Sequence, residues 1–281
     1  MKKMLMIAMV VALLLAVSWS LACDSGSKQG LNGEAETEPI TVEEAMELIR
    51  QFEGESLPDL EFLRLSPALH PTRNLAEFDC SKANYTVDLD ASMIVIALYQ
   101  TSRSLEVKLS MDEAQSIAAE FAPRAHPGFS TLTLLEGKLF DHGDAGKEYS
   151  FIWKRIVNGA IIVHNFVQVS INPNTGEVMG FVSKAVEPEP FDPPDICKGE
   201  AESIARDAFE ERTGKEGVLV DEPVLEVTFP IDQATHLPGT EQHLVWRVKV
   251  EEVRGPDDFC NAAIFYIDAH TGKILQTDLA D

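Results

Sequence analysis

The chain has 281 residues, enough for one large domain or several small ones, and 45% of them are apolar, which excludes disorder along its whole length. Its 46 acidic residues against 23 basic ones give a net charge of −23. A surface of that sign repels nucleic acid and anionic lipid headgroups, so attraction through charge to either is not expected.

The first element is a secretory signal, residues 1–22. Lys2 and Lys3 precede an apolar run from Met4 to Val17, and small residues lead up to Cys23. The ending "WSLAC" resembles the lipobox of bacterial lipoproteins, with Ala22 directly before Cys23. That resemblance implies that Cys23 becomes the new N-terminus, carries lipid (palmitate among its acyl groups) and anchors the protein on the outer side of a bacterial membrane, in the cell envelope. Because charge opposes membrane binding, the lipid would do the anchoring. The residues also admit an ordinary cleaved signal with an incidental cysteine, or an uncleaved anchor.

Residues 23–39 are polar, rich in Gly and Ser and without periodicity, which predicts a flexible tether. Three stretches then begin alike: "TVEEAMELIRQF" from Thr41, "SMDEAQSIAAEF" from Ser110 and "CKGEAESIARDAF" from Cys197. Thr41 with Glu44, and Ser110 with Glu113, have the spacing of a capping box, so a helix is expected to start at each. Apolar residues follow at helical spacing: Ala45, Leu48 and Phe52; Ala114, Ile117 and Phe121; Ala201, Ile204 and Ala208.

Strands are expected after each helix. In residues 40–107, "NYTVDLDASMIVIALY" reads as strand, short turn and strand. In residues 108–186, Tyr149, Phe151 and Trp153 alternate, Asn158-Gly159 is a two-residue hairpin signal, and "IIVHNFVQVSI" runs into the turn "INPNTGEVMG". The four prolines of "EPEPFDPPD", residues 187–195, predict an extended linker. In residues 196–281, Leu244, Trp246, Val248 and Val250 alternate, and "NAAIFYIDAHTGKILQ" gives strand, turn and strand. The expected fold class is α+β: tandem modules, each a helix packed on a small antiparallel sheet.

With Cys23 assigned to lipid, Cys80, Cys197 and Cys260 remain, and a disulfide is permitted outside the cytoplasm. Cys197 stands where the other copies have a capping hydroxyl, and a thiol caps poorly, so Cys197–Cys260 is the candidate pair. Free buried thiols, or a bond involving Cys80, are the alternatives.

A helix with an Ala-rich face, a Trp-bearing strand and a hairpin closing in "IDAHTGKIL" resembles the PepSY domain of bacterial envelope proteins, related to the propeptides of thermolysin-type peptidases. "YSFIWKRIVNGAIIVHNFVQVSINPNTGEVMGF" is also similar to a repeated PepSY-like domain of secreted bacterial proteins. The likeness is fullest in residues 196–281, clear in 108–186 and degenerate in 40–107, which lacks the Thr-Gly. It implies non-catalytic modules that bind or regulate an envelope or secreted peptidase.

The residues themselves offer no competing chemistry. HExxH, GxSxG, GxxxxGK and the dinucleotide glycine pattern do not occur, so no catalytic, cofactor or metal residues are assigned. Asp141, His142 and Asp144 read as a loop, Asp268 and His270 as a turn, and Trp153 and Trp246 as core. Two other functions stay open: an envelope ligand-binding or structural lipoprotein, and a hydrolase with an unrecognised site at Asp141 and His142.

Overall fold

The computed structural model describes residues 38–69, 72–231, 239–252 and 262–280. The helices start where capping chemistry places them. Helix α1 spans Val42–Glu53, α2 Met111–Ala125 and α3 Lys198–Thr213. Thr41 Oγ1 accepts the Glu44 N–H (3.2 Å), and Glu44 Oε2 accepts the Thr41 N–H (2.8 Å). Ser110 and Glu113 repeat the exchange at 3.3 and 2.8 Å. Cys197 keeps the half that runs through the backbone, its N–H donating to Glu200 Oε2 (2.9 Å).

The buried face of each helix includes the first residue of the expected stripe, Ala45, Ala114 or Ala201, and from there runs one residue to its C-terminal side. Ala45 and Ile49 are buried in α1, Ala114, Ala118, Ala122 and Ala125 in α2, and Ala201, Ala205 and Phe209 in α3. Leu48, Phe52, Ile117, Phe121, Ile204 and Ala208 flank those centres and are partly buried. Small residues at the centre let the helix lie close to the sheet, and larger ones beside them fill the wedge that its curvature leaves.

The strands are β1 Glu61–Leu69, β2 Thr72–Asp79, β3 Ala83–Asp88, β4 Met93–Tyr99, β5 Leu132–Asp141, β6 Lys147–Val157, β7 Ala160–Ile171, β8 Val178–Ala185, β9 Gly217–Leu219, β10 Val224–Thr228, β11 His243–Glu252, β12 Ala262–Asp268 and β13 Ile274–Ala280. Rather than lying in separate small sheets, they join into one, in the order β1-β2-β3-β4-β8-β7-β10-β11-β12-β13. Strand β5 pairs with β6, β6 with the other edge of β7, and β9 with β11.

Two seams make the sheet continuous. Strand β4 pairs antiparallel with β8 through Ile96↔Val182, Ala97↔Phe181 and Leu98↔Gly180. A Cβ on Gly180 would lie 2.6 Å from the Ala97 carbonyl oxygen, so the close approach needs a glycine there. The second seam is parallel and shorter, Glu226↔Ile161 and Val227↔Ile162 between β10 and β7.

The helices cover one face, and the cores follow the seams. Helices α1 and α2 share one core with β2–β8, which holds Phe78, Tyr85, Phe151, Trp153 and Phe181. Phe52, Phe121 and Phe181 meet with ring centroids 5.5 to 6.0 Å apart where the two helices adjoin β8, and the Arg124 guanidinium lies over Phe52 and Phe121. Helix α3 has its own core with β11 and β12. A small cluster of Ala160, Ile162, Val227, Leu244 and Ala269 lies between them, with Phe191 of the Pro-rich segment packed against it. That segment has neither helix nor strand, yet it is held: Gln242 Nε2 donates to the Glu187 carbonyl (3.0 Å), and Gln242 Oε1 accepts the Glu189 N–H (3.0 Å).

Candidate functional site

The turn "INPNTGEVMG" and its counterpart "IDAHTGKILQ" have one geometry. Asn172 Oδ1 accepts the N–H groups of Asn174 (2.9 Å) and Thr175 (3.1 Å), and Asp268 Oδ1 accepts those of His270 (3.2 Å) and Thr271 (2.8 Å). Gly176 and Gly272 follow at φ 78° and 71°, the left-handed region that favours glycine. The hairpin between β3 and β4 makes the same turn without the Thr-Gly. Asp88 Oδ1 accepts the Ala91 N–H (2.9 Å), and Ser92 takes the glycine's place at φ 50°.

Each turn receives the segment that leads into a helix. The residue just before the helix cap donates its backbone N–H to the second turn residue: Ile40 to the Leu89 carbonyl (3.0 Å), Leu109 to Pro173 (3.0 Å) and Ile196 to Ala269 (2.9 Å). Trp246 Nε1 also donates to the Ile196 carbonyl (2.8 Å), so this tryptophan ties the third junction to β11. At the first junction a cavity of about 270 Å³ opens beside Ser92, lined by Ile40, Glu44, Glu47, Leu48 and Gln51.

The carboxylate and histidine positions singled out in the sequence are engaged in their own loops. Asp141 Oδ1 accepts the Gly143 N–H (2.9 Å) and Oδ2 lies 3.2 Å from Lys147 Nζ; these contacts, the backbone one first, hold its carboxyl below the usual range. His142 Nε2 is 3.4 Å from Glu148, whose other oxygen accepts from Arg103 (2.8 Å). Burial raises the Asp268 carboxyl, but donation from Thr271, His270 and His243 outweighs it and holds the group low. His243 lies 3.5 Å from Asp268, while His270 turns to Asp195 at 3.2 Å. Trp153 is buried in the core against Phe129 and Phe151. Among the described residues no group of three or more His, Cys, Asp or Glu side chains is arranged to hold a metal ion.

Cys23 and Cys260 lie outside the described residues. Cys80 is buried and Cys197 exposed, and among the described residues neither is bonded to another cysteine. Among the described residues no helix is long and apolar enough to cross a membrane.

A polar cluster at the end of α1 went unread in the sequence. Glu53 Oε1 accepts from the hydroxyls of Tyr85 (3.0 Å) and Tyr99 (2.8 Å), and Lys82 Nζ lies 2.5 Å from Glu53 Oε2. Lys82 also pairs with Glu55. Burial first, and then the negative Glu53, push both phenols well above their ordinary 10.0. The partners sit 32 and 46 residues from Glu53, so no local pattern announces them.

Residues 83–185 match the model of a family described as the YcdB, YcdC repeated domain. The matched stretch runs from β3 through β8 and so takes in the β4–β8 seam. No curated protein matches the chain. The solved structure of the Bacillus megaterium YpeB C-terminal domain is similar at 12% identity and a TM-score of 0.48, covering 87% of this chain and 100% of its own.

Proposed function

We propose that this chain is a lipid-anchored, extracytoplasmic binding protein built of three PepSY-like repeats, residues 40–107, 108–186 and 196–281, and that it binds or regulates an envelope or secreted peptidase. The observation that carries the repeat reading is the junction made three times: a cap-preceding N–H on the second residue of an Asx-type turn, at Leu89, Pro173 and Ala269. Three copies of one helix-to-turn contact are what a duplicated module leaves behind when its side chains have diverged. The description of the matched family as a repeated domain agrees with this. What supports a binding role is how the polar loops are used. The side chains at Asp141, His142 and Asp268 that could do chemistry hold their own turns together. The lipid anchor rests on the "WSLAC" ending at Cys23.

The test has two arms. Cys23→Ala is expected to move the protein from the membrane fraction to the soluble one. The purified protein from Asp24 onward is expected to slow at least one extracytoplasmic peptidase of its own host at near-stoichiometric ratio, and to crosslink to the same enzyme in the envelope. Unchanged rates across those peptidases, with no peptidase among the crosslinked proteins, would remove the regulatory reading.

A further inference from the structure

The sheet face turned away from the helices carries two half-buried lysines that make no ion pair among the described residues. Strand register aligns Lys154 of β6 with Phe166 of β7, and Phe166 with Lys184 of β8. The three form one transverse row, alternating along their strands with the buried Trp153, Val167 and Ser183. All three are half-buried.

With acidic residues outnumbering basic ones two to one, a lysine ordinarily has a carboxylate nearby. Lys82, Lys108, Lys147, Lys198, Lys215 and Lys249 each pair with one. Lys154 and Lys184 make no ion pair within 4.0 Å and no hydrogen bond among the described residues, and neither ammonium is a sealed, unpartnered polar atom. Lys154 feels Glu226 and Glu136 at longer range, opposed by Arg247. Burial lowers the pKa of both lysines, the sign of cations given less solvation than they need.

The next row on the same face is Ile152, Gln168, Val182 and Ile96, again half-buried. The face therefore offers two half-buried lysines without an ion pair, two strand spacings apart, roughly 9.5 Å, beside a partly apolar strip. Three residues of peptide in the polyproline-II conformation span about 9.3 Å and bring the side chain back to the same side.

We propose that this face binds an acidic peptide segment of a partner protein in the polyproline-II conformation, seating two carboxylates three residues apart on Lys154 and Lys184 and apolar side chains between them against Phe166, Ile152 and Val182. Charge complementarity selects the occupant. An acidic segment supplies the counter-charge the two lysines lack, and the acidic remainder of the surface disfavours its binding elsewhere. The inference rests on the sheet face and not on the peptidase reading. A chain that binds acidic peptide and leaves every peptidase untouched would keep the one and lose the other.

The probe is a fluorescein-labelled peptide in which Glu residues three apart flank Val and Leu, with the Gln-substituted peptide as control, read by fluorescence anisotropy at low and physiological salt. The intact protein is expected to bind the acidic peptide, more weakly as salt rises, and Lys154→Gln/Lys184→Gln to bind it about tenfold less tightly. Lys273→Gln should leave the affinity unchanged. Equal affinity for the Glu and Gln peptides, or equal loss in the Lys273→Gln control, would overturn the proposal. Should the double variant fail to fold, acetylation of the intact protein decides. Bound peptide is expected to shield Lys154 and Lys184 while Lys273 reacts as before, and labelling of all three unchanged by peptide would sink the idea.

Discussion

Glu53 ends α1 with its side chain 4% exposed, and the two tyrosines and Lys82 supply the donors that let a carboxylate remain there. Removing one partner from such a group leaves a buried charge short of a bond, so Glu53→Ala should cost less than stranding Glu53 by removing Lys82 and both hydroxyls together. The cluster also has a pH signature. Unfolded phenols ionise near 10.0, and both folded phenols are held above that. Their protonated form is the one the fold favours, so the stabilisation is complete below pH 10 and is lost as pH rises beyond it. Lys82 shifts the same way: burial lowers it, but hydrogen bonds and charge from Glu53 and Glu55 outweigh that and raise it. Urea midpoints should therefore fall steeply above about pH 10, and less steeply in Tyr85→Phe/Tyr99→Phe. Parallel slopes for the two proteins would show that these hydroxyls do not carry the effect.

At the scale of elements, the helices were legible in the sequence because their signals are local. A capping box and its stripe lie within one dozen residues, and the Cys197 copy keeps the glutamate of the box, Glu200. Several strands were not. In β1 the register shifts between Phe62 and Arg64, and Pro67 is a residue that sheets admit at edges, where β1 lies. In β5 the register shifts between Leu134 and Glu136, which breaks the alternation that marks a strand. The turn between β3 and β4 was legible as a turn but not as a copy of the other two: Ser92 holds a backbone conformation that the Thr-Gly pair led one to expect from glycine. The seams were beyond reach because pairing between distant strands leaves no local pattern. The β4–β8 seam makes its own prediction. Gly180→Ala forces a Cβ to within 2.6 Å of the Ala97 carbonyl oxygen, and backbone on both sides must yield. It should cost about 2–3 kcal/mol by chemical denaturation. Destabilisation under about 0.5 kcal/mol would mean the seam opens easily and does not bind residues 40–107 to residues 108–186.

Across the whole molecule, the three similar junctions are joined unequally. The first two share a core, a three-ring contact at Phe52, Phe121 and Phe181, and the β4–β8 seam. The third meets them through two parallel residue pairs, a five-residue buried cluster and the Gln242 clamp on the Pro-rich segment. Cooperativity follows the amount of buried apolar surface shared, so residues 38–186 should melt as one unit and residues 196–281 as another, despite the unbroken sheet. Calorimetry of the chain from Asp24 is expected to show two transitions. Phe181→Ala removes a large side chain from the shared core and should lower one of them, by about 3–4 kcal/mol. Phe209→Ala, in the α3 core, should lower the other by a similar amount. If both variants instead displaced a single transition equally, the two-residue seam would be transmitting stability as well as a full core does. Residues 196–281 could then not move independently of the face that Lys154 and Lys184 occupy.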